Sequence, residues 1–279
     1  MAYIYLDIKK PVVRLYPMPC LHIGAPQRDM TFIKEHVERI KNDPDARWVY
    51  MGDGGECVTT LSKGDVYGQL VPPQLQIEIL LDTLAPIRAK GLFGIRGNHG
   101  HRIYKETGLS FDHTLCSRLG LPYMGVGTFA DFGMKSHNGS NVFSGYFHHG
   151  TDSGTSIRSK IAAAEKFGTF INADAIFTAH SHVAIELQPS ILRGSDARTR
   201  KETTKIRHQY ICGSAYDSRT GYAEDKGYPP LIPSFLSVEF RLRRVREGKN
   251  DVIVKEQSTR RYESDGQHEL KHEYIQDYL

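Results

Sequence analysis

The stretch GLFGIRGNH, residues 91–99, runs from apolar side chains into a glycine that is followed by an amide and an imidazole. A short apolar run of this kind is typical of a buried strand, and its polar end is typical of a loop at the edge of a sheet. The overlapping stretch RGNHGHR, residues 96–102, adds a second histidine. A surface turn gains no packing from two histidines and an asparagine, so this composition indicates chemistry.

Three more apolar runs end in polar residues, namely ARWVYMGD (46–53), NVFSGYFHHG (141–150) and DAIFTAHSH (174–182). Segments with helical spacing separate them, at residues 30–40, 72–90 and 158–171. Strands that alternate with helices predict a largely parallel α/β sheet. After Gln209 the segments are strand-like with few helical stretches between them, which predicts a second, mostly antiparallel sheet packed on the first.

The composition is that of a soluble globular protein, with 279 residues, 39% hydrophobic and 24% charged. The four cysteines have no CxxC spacing, which favours a reducing cytoplasm. Charged residues interrupt the first twenty positions, so we expect no signal peptide. No apolar run approaches the roughly 18 residues that a membrane span requires, so we expect no membrane partner.

The net charge of +4 is too small to indicate a nucleic-acid partner by itself. Basic residues are concentrated at 189–207 and in RLRRVR, residues 241–246. Two interpretations stand: solvated hairpins whose charged edges oppose aggregation, or a surface for an anionic substrate.

Polar residues that follow the predicted strands form one candidate site, because function gathers beyond the carboxyl ends of strands in α/β sheets. Imidazole nitrogens, amide oxygens and carboxylates suit manganese, iron, zinc or cobalt better than calcium. The residues are His22, Asp53, Asn98, His99, His148, His149, His180 and His182.

These blocks, in this order, resemble the calcineurin-like metallophosphoesterases, whose pattern is D-x-H, GD-x-x-D/E, GNH-D/E, a histidine after a strand, and GH-x-H. The resemblance spans roughly residues 12–215 and is nearest to stand-alone phage and bacterial members, more distantly to SbcD-type nuclease subunits. It implies a single domain over residues 1–279, with two packed mixed β-sheets flanked by helices in a four-layer α/β/β/α sandwich. A basic insertion near 189–207 and a peripheral polar segment at about 258–279 would be attached to it.

The resemblance also implies a centre of two divalent transition-metal ions (Mn, Zn, Fe, Co or Ni) that share Asp53. One ion would bind His22 and His182, and the other would bind Asn98, His148 and His180. A metal-bridging hydroxide would attack phosphorus, and His99 would lie over the leaving oxygen as a proton donor or a phosphate clamp. His148 is chosen over His149 because it is the residue that closes the strand.

Two positions depart from the family pattern. Cys20 stands where the aspartate of D-x-H belongs, and it is either a thiolate ligand or a small buried hydrophobic residue. Gly100 stands where an acidic residue is usual. His101 and Arg102, which follow it, make this rim cationic.

Other residues have supporting roles in this hypothesis. His101, Arg102, His149 and Arg158 are candidates for substrate contact. Glu56 is expected to orient a metal ligand, or else to be an exposed carboxylate at a helix start. Asp29 is expected to cap a helix, with the alternative that it reaches the metal whose usual aspartate is missing.

The sequence thus predicts a metal-dependent phosphoester hydrolase, a phosphodiesterase or nuclease, with a phosphoester substrate that includes nucleic acid or a nucleotide. One alternative is a phosphomonoesterase acting on a protein or metabolite. Another is a non-catalytic scaffold with a degraded first metal site. Buried polar side chains are costly when they have no ligand, which argues against the scaffold.

Overall fold

The chain combines a large mixed β-sheet with several helices. The computed structural model describes residues 2–62, 64–137, 139–151, 154–196, 198, 200–247 and 250–265. The strands in these ranges are β1 Ala2–Asp7, β2 Val12–Met18, β3 Ala46–Tyr50, β4 Gly91–Gly94, β5 Gly127–Ser136, β6 Gly139–His148, β7 Ala175–Thr178, β8 Ala184–Glu186, β9 Ser190–Asp196, β10 Lys201–Ser214, β11 Ser234–Glu247 and β12 Asn250–Glu263. The α-helices are α1 Met30–Asn42, α2 Pro73–Leu84, α3 Asn98–Thr107, α4 Phe111–Leu119, α5 Ile157–Gly168 and α6 Tyr222–Asp225.

The strands form one continuous order, β1-β5-β6-β7-β10-β11-β2-β3-β4, with β12 on β11 and with β8 and β9 on β10. We call β1, β5, β6, β7 and β10 the first half-sheet and β11, β2, β3 and β4 the second half-sheet. They are joined through two residue pairs, Gly213 with Phe235 and Ser214 with Ser234. The strand order is continuous and approaches a barrel, so the hydrogen bonds do not confirm the predicted division into two separate sheets.

The inner core lies where the two half-sheets face each other. Phe147 of β6 meets Phe93 of β4 with ring centroids 5.1 Å apart. Phe240 of β11 lies 4.8 Å from Phe143 and 5.6 Å from Phe132. Because these rings come from both half-sheets and are buried, their packing fixes how the two faces meet.

Helices cover the outer faces of the sheet. The apolar positions of α1, among them Ile33, Val37 and Ile40, recur at helical spacing and pack in one cluster with Trp48 and Tyr50 of β3. On the other side, α5 packs through Ala164 and Phe167 against the first half-sheet. The sequence patterns at 30–40, 72–90 and 158–171 are thus confirmed as helical, with a short 3₁₀ turn completing the second.

Asp29 is a helix cap, as the sequence predicts. Its carboxylate accepts a hydrogen bond from the N–H of Phe32 at 2.9 Å and another from the hydroxyl of Ser264 at 2.6 Å. Both oxygens are therefore engaged at the start of α1, and the alternative role beside a metal is not supported.

Two features of the fold differ from predictions made from the sequence. The pairing is mixed, as the family resemblance implies, and not largely parallel as the apolar runs predict, because β5 and β6 form an antiparallel hairpin between parallel neighbours. Residues 258–263 are not peripheral: they continue β12, and Tyr262 packs against the core beside Tyr16. The rest of the predicted C-terminal segment, residues 266–279, lies outside the described residues. The basic segment at 189–207 is a hairpin of β9 with β10, in agreement with its interpretation as a solvated hairpin.

None of the described helices combines the length with the hydropathy that crossing a lipid bilayer requires.

Gly213 allows β10 and β11 to meet at the junction of the half-sheets. Its φ is +92°, and a Cβ at this position would lie 1.8 Å from the carbonyl oxygen of Ser234. We expect Gly213→Ala to lower the free energy of unfolding by about 3 kcal/mol or more, through backbone strain together with a steric clash.

The measurement is equilibrium urea unfolding, and Gly227→Ala is the matched control. Gly227 also has a positive φ, +64°, but a Cβ there meets no heavy atom within 4 Å. Its substitution should cost about 1 kcal/mol. Equal losses in the two variants would show that the close contact at the junction is unimportant.

Candidate metal centre

The buried carboxylate of Asp53 lies at the middle of the candidate site. It follows β3, and its Oδ1 accepts a hydrogen bond from the backbone N–H of His99 at 2.7 Å. His99 is in the first turn of α3, so the carboxylate also meets the positive end of the helix dipole. Burial opposes the charge of Asp53, but His149, His99 and His22 outweigh it and hold the pKa of Asp53 well below its ordinary value.

Two glycines make this close approach possible. A Cβ on Gly97 would lie 2.1 Å from Asp53 Oδ1, and a Cβ on Gly52 would lie 2.5 Å from the nitrogen of Gly97. The loops after β3 and β4 therefore touch backbone to backbone. The glycines of the GD and GNH blocks are required by this contact, because any side chain there would clash.

His149 occupies one side of the centre. Its Nδ1 lies 2.7 Å from the carbonyl oxygen of Met51 and therefore carries the proton. Its Nε2 lies 2.8 Å from Asp53 Oδ2 and 3.0 Å from Asn98 Oδ1. Burial lowers the pKa of His149, but Asp53 raises it more, so the net pKa lies above the ordinary value.

His148 points away from this cluster, which corrects the choice made from the sequence. Its Nδ1 accepts the N–H of Gly150 at 2.9 Å, and its ring lies against Phe167 at 4.7 Å. Burial lowers the pKa of His148 to about 4. Successive side chains of a strand alternate between the two faces, so only one of the two histidines can reach Asp53, and it is His149.

His22 and His182 form the other side of the centre. Their Nε2 atoms lie 3.0 Å apart. The Nδ1 of His22 lies 2.7 Å from Glu56 Oε2, so this nitrogen carries the proton and Nε2 is directed into the centre. A carboxylate behind a histidine is the usual arrangement around a metal ligand, which supports the predicted role of Glu56.

His180 stands between the two sides without joining the tightest groups of donors. Its ring centroid lies 5.4 Å from that of His149, and its backbone N–H interacts with the thiol of Cys20. The buried ammonium of Lys160 donates to the carbonyl oxygen of Ser181 at 2.6 Å, and this bond holds the loop that carries both His180 and His182. Sequence reasoning missed Lys160, which looks like an ordinary residue of an amphipathic helix.

The backbone at the centre is unusual. Among the described residues, five of the eight non-glycine residues with positive φ lie at this site: Cys20 (+49°), His22 (+48°), Asp53 (+55°), His180 (+66°) and His182 (+58°). Each costs of order 1–3 kcal/mol, and such residues cluster at functional sites. The strain turns the chain sharply after each strand, so that the side chains point into a shared space.

The donor atoms fit a metal ion. Three groups of potential ligand atoms lie within 4.8 Å of one another: Cys20 with His22 and His182, Cys20 with Asp53 and His149, and His22 with Asp53 and His99. In both His22 and His149, the outer nitrogen, Nδ1, is hydrogen-bonded to a protein oxygen outside the centre. The inner nitrogen, Nε2, faces other acceptor atoms inside it. Opposed lone pairs of this kind need a cation or a proton between them.

His99 and Arg102 form one rim of the centre. His99 Nδ1 lies 2.8 Å from the carbonyl oxygen of Glu56, and its Nε2 lies 3.3 Å from Arg102 Nη2. Burial lowers the pKa of His99 to about 4, so the ring is neutral at pH 7. Positive charge at this rim therefore comes from Arg102.

The remaining candidates for substrate contact are less central. His101 stacks on Tyr104 with centroids 5.4 Å apart, further along α3. Arg158 is exposed in the first turn of α5, where Ser156 already caps Ser159. Neither has a described contact with the donor groups of the centre.

Asp112 and Tyr50 are functional candidates that the sequence did not reveal. The Tyr50 hydroxyl donates to Asp112 Oδ1 at 2.6 Å and accepts the N–H of Gly54 at 2.8 Å, while Gly97 N donates to Asp112 Oδ2 at 3.3 Å. The pair thus joins the two loops that meet at Asp53. A Cβ on Gly100 would lie 2.5 Å from Asp112 Oδ2. The Asp112 carboxylate therefore fills the space beside Gly100, the position at which the family pattern has an acidic residue.

No protein-family model matches the chain, and comparison with curated proteins also finds no match. The functional hypothesis therefore depends on the geometry of this centre and on the order of its sequence blocks.

His149 and His148 provide a matched pair of variants for metal binding. We expect His149→Ala to weaken the binding of Zn²⁺ or Co²⁺ by about tenfold or more, because Nε2 is directed at Asp53 and Asn98. His148→Ala should retain affinity and lose only packing against Phe167. Isothermal titration calorimetry on metal-stripped protein measures both. Loss of affinity in the His148 variant alone would restore the assignment made from the sequence.

Asp112 predicts a pH effect on the metal-free protein. Burial raises its pKa to about 7, with a further contribution from Asp53. The folded state then keeps a proton that the unfolded state releases near pH 4, so this residue's contribution to stability is lost as the pH rises from about 4 to 7. Relative to wild type, Asp112→Asn should gain up to about 4 kcal/mol across that range.

Urea unfolding in the presence of a chelator at several pH values measures this difference. Asp82→Asn, on the exposed side of α2, controls for removal of a surface carboxylate. A constant difference between wild type and Asp112→Asn at every pH would contradict the assignment of a retained proton.

Proposed function

We propose that the chain is a phosphoester hydrolase that uses two divalent transition-metal ions and acts on phosphodiesters. The observation that carries this proposal is the position of Asp53, whose carboxylate lies between His149 with Asn98 on one side and His22 with His99 on the other. A carboxylate with donor groups on both sides is suited to holding two ions. The order of the sequence blocks supports the same function.

The side chains would divide into two ligand sets. Asp53 would be shared, His22, His182 and Cys20 would complete one set, and Asn98, His149 and His180 would complete the other. Bound ions would supply an activated water as nucleophile and would neutralise charge on the phosphoryl oxygens.

The protein's own contribution to the reaction is orientation and charge. Glu56 fixes the tautomer of His22, and the carbonyl oxygen of Met51 does the same for His149. Arg102 would bind a phosphoryl oxygen from the rim. His99 uses its N–H on the carbonyl oxygen of Glu56, so it would protonate a leaving oxygen only if the bound phosphate raised its pKa.

We also propose that the two half-sheets correspond to the two sheets of a four-layer α/β/β/α sandwich. Their junction is narrow, aromatic side chains from both faces fill the space between them, and helices lie outside. In this arrangement the ends of β2, β3 and β4 meet those of β6 and β7 along one edge, which is where the ligand loops lie.

A small phosphodiester fits the surface better than a long polynucleotide. Arg193 pairs with Glu202 at 2.5 Å, Lys205 with Asp174 at 3.2 Å and Arg243 with Glu256 at 2.9 Å. These three basic residues are therefore paired with carboxylates, which reduces the positive charge that the basic segments offer to a phosphate backbone.

A cavity beside the centre offers room for an organic group. Its volume is about 260 Å³ and His182 forms part of its wall, so an ester substituent could lie there while phosphate faces the ligands. The remaining lining is mostly apolar and consists of Ile157, Val183, Ala184, Ile185, Pro230, Leu231, Ile232, Ser234 and Arg261.

The four cysteines are buried and form no disulfide bonds, in keeping with a reducing cytoplasm as the site of action.

Hydrolysis of bis-p-nitrophenyl phosphate and of p-nitrophenyl phosphate, assayed side by side with Mn, Zn, Fe, Co and Ni, tests the proposed function. We expect metal-dependent turnover with preference for the diester, and a loss of about 100-fold or more in Asp53→Asn. Asp45→Asn, a carboxylate on an outer turn, is the matched control and should behave as wild type.

The other outcomes separate the alternatives. Preference for the monoester would favour a phosphomonoesterase, and no metal-dependent turnover above the Asp53→Asn background would favour the scaffold. A nuclease would bind single-stranded DNA with an affinity that falls steeply with salt, whereas a small-diester enzyme should show weak binding at all salt concentrations.

A further inference from the structure

Cys20 is the point at which this centre departs from a carboxylate-based site, and the structure places its sulfur among the donors. Cys20 Sγ belongs to a group with His22 and His182 and also to a group with Asp53 and His149, in each case within 4.8 Å. The sulfur therefore lies between the two sides of the centre. The other three cysteines occur in none of the donor groups found among the described residues.

The backbone of Cys20 is held on both sides. Its N–H donates to the carbonyl oxygen of Gly52 at 3.0 Å, and its carbonyl oxygen accepts the N–H of Ala215 at 3.1 Å and the hydroxyl of Ser214 at 3.0 Å. These bonds maintain a φ of +49°, a strained conformation for a residue with a side chain. Cys57 has a similar φ of +51° but belongs to no donor group found among the described residues, so the position of the sulfur among the donors, and not the strain, assigns the role of Cys20.

Without a metal ion, burial and the nearby Asp53 raise the pKa of the Cys20 thiol well above its ordinary value, so the sulfur needs a bound cation to become a thiolate. The backbone N–H of His180 is directed at the thiol, and the buried ammonium of Lys160 interacts with it electrostatically. Lys160 is fixed by its bond to the carbonyl oxygen of Ser181. These two groups oppose the effects of burial and Asp53 without outweighing them, and a metal ion bound by His22 and His182 would supply the remaining positive charge.

We propose that Cys20 is a thiolate ligand, and that it makes the His22–His182 side of the centre selective for zinc over manganese. A sulfur and two imidazole nitrogens, added to the shared carboxylate of Asp53, are a donor set that zinc favours over manganese. The opposite side offers Asp53, Asn98 and His149, a harder set that accepts manganese. This inference rests on the metal centre of the proposed function and deepens it by assigning different preferences to its two sides.

Cobalt provides a direct probe of the sulfur. We expect Co²⁺-loaded wild-type protein to show a sulfur-to-cobalt charge-transfer band in the near ultraviolet, in addition to the visible bands of bound cobalt. Cys20→Ser should lose the near-ultraviolet band, and Cys116→Ala should keep it. Cys116 is the matched control because it is buried in the outer apolar cluster of α4, away from the donors.

Metal competition tests the selectivity. After dialysis against equal concentrations of Zn²⁺ and Mn²⁺, the zinc-to-manganese ratio bound by Cys20→Asp should fall about tenfold or more below that of wild type. An unchanged ratio would overturn the proposed selectivity.

X-ray absorption on zinc-loaded wild-type protein does not depend on the folding of any variant. A zinc–sulfur shell at about 2.3 Å would support the thiolate, and its absence from zinc-bound protein would overturn it. These measurements are separate from turnover. Metal-dependent hydrolysis without a sulfur signal would remove only the role of Cys20, and a sulfur signal without hydrolysis would remove only the proposed activity.

Discussion

The buried carboxylate of Asp53 is the constraint on which the rest of the centre depends. A charge removed from water must be compensated locally, and here the N–H of His99 and the Nε2 of His149 compensate it at 2.7 and 2.8 Å. The first contact requires α3 to begin directly against the loop after β3, and the second requires the end of β6 to lie beside it. Glycine is required at positions 52 and 97 because the backbones of these two residues touch. One carboxylate thus determines where three segments distant in sequence must meet, and this convergence produces the donor groups.

The left-handed residues extend the same constraint to the remaining loops. Cys20, His22, His180 and His182 follow β2 and β7, and each has a positive φ although none is glycine. Strain of this size persists only where surrounding bonds determine the conformation, as Gly52, Ser214 and Lys160 do here. The fold therefore gives up stability in the loops that hold donors, while its helices and aromatic core remain regular. That distribution is characteristic of a site maintained for binding rather than for packing.

Much of this arrangement could be predicted from the sequence, because apolar runs ending in polar residues identify β3, β4, β6 and β7 and place their ends together. The sequence also identified Asp53, Asn98, His22 and His182 as members of one cluster. It selected His148 over His149, and this choice was wrong, because the answer depends on which face of β6 is turned inward. It treated residues 96–102 as a turn, although Asn98 begins a helix in which the N–H of His99 is directed at Asp53. Asp112, Tyr50 and Lys160 escaped notice because their roles arise from contacts between segments far apart in the chain.

The hydrogen bonds of the histidines bear on the choice between a metal centre and a purely structural network. In a structural network each ring nitrogen would face a complementary partner, one donor for one acceptor. Here the outer nitrogens of His22 and His149 face Glu56 and the carbonyl oxygen of Met51, which places the protons on the outside. The inner nitrogens then face another imidazole nitrogen, a carboxylate and an amide oxygen. Protons can satisfy this pattern in the metal-free protein, because the neutral ring of His182 can carry its one proton on Nε2 and, against the effect of burial, Asp53 raises the pKa of His149. Divalent cations would take the place of these inner protons and leave the outer bonds of His22 and His149 unchanged, so the arrangement is suited to metal binding.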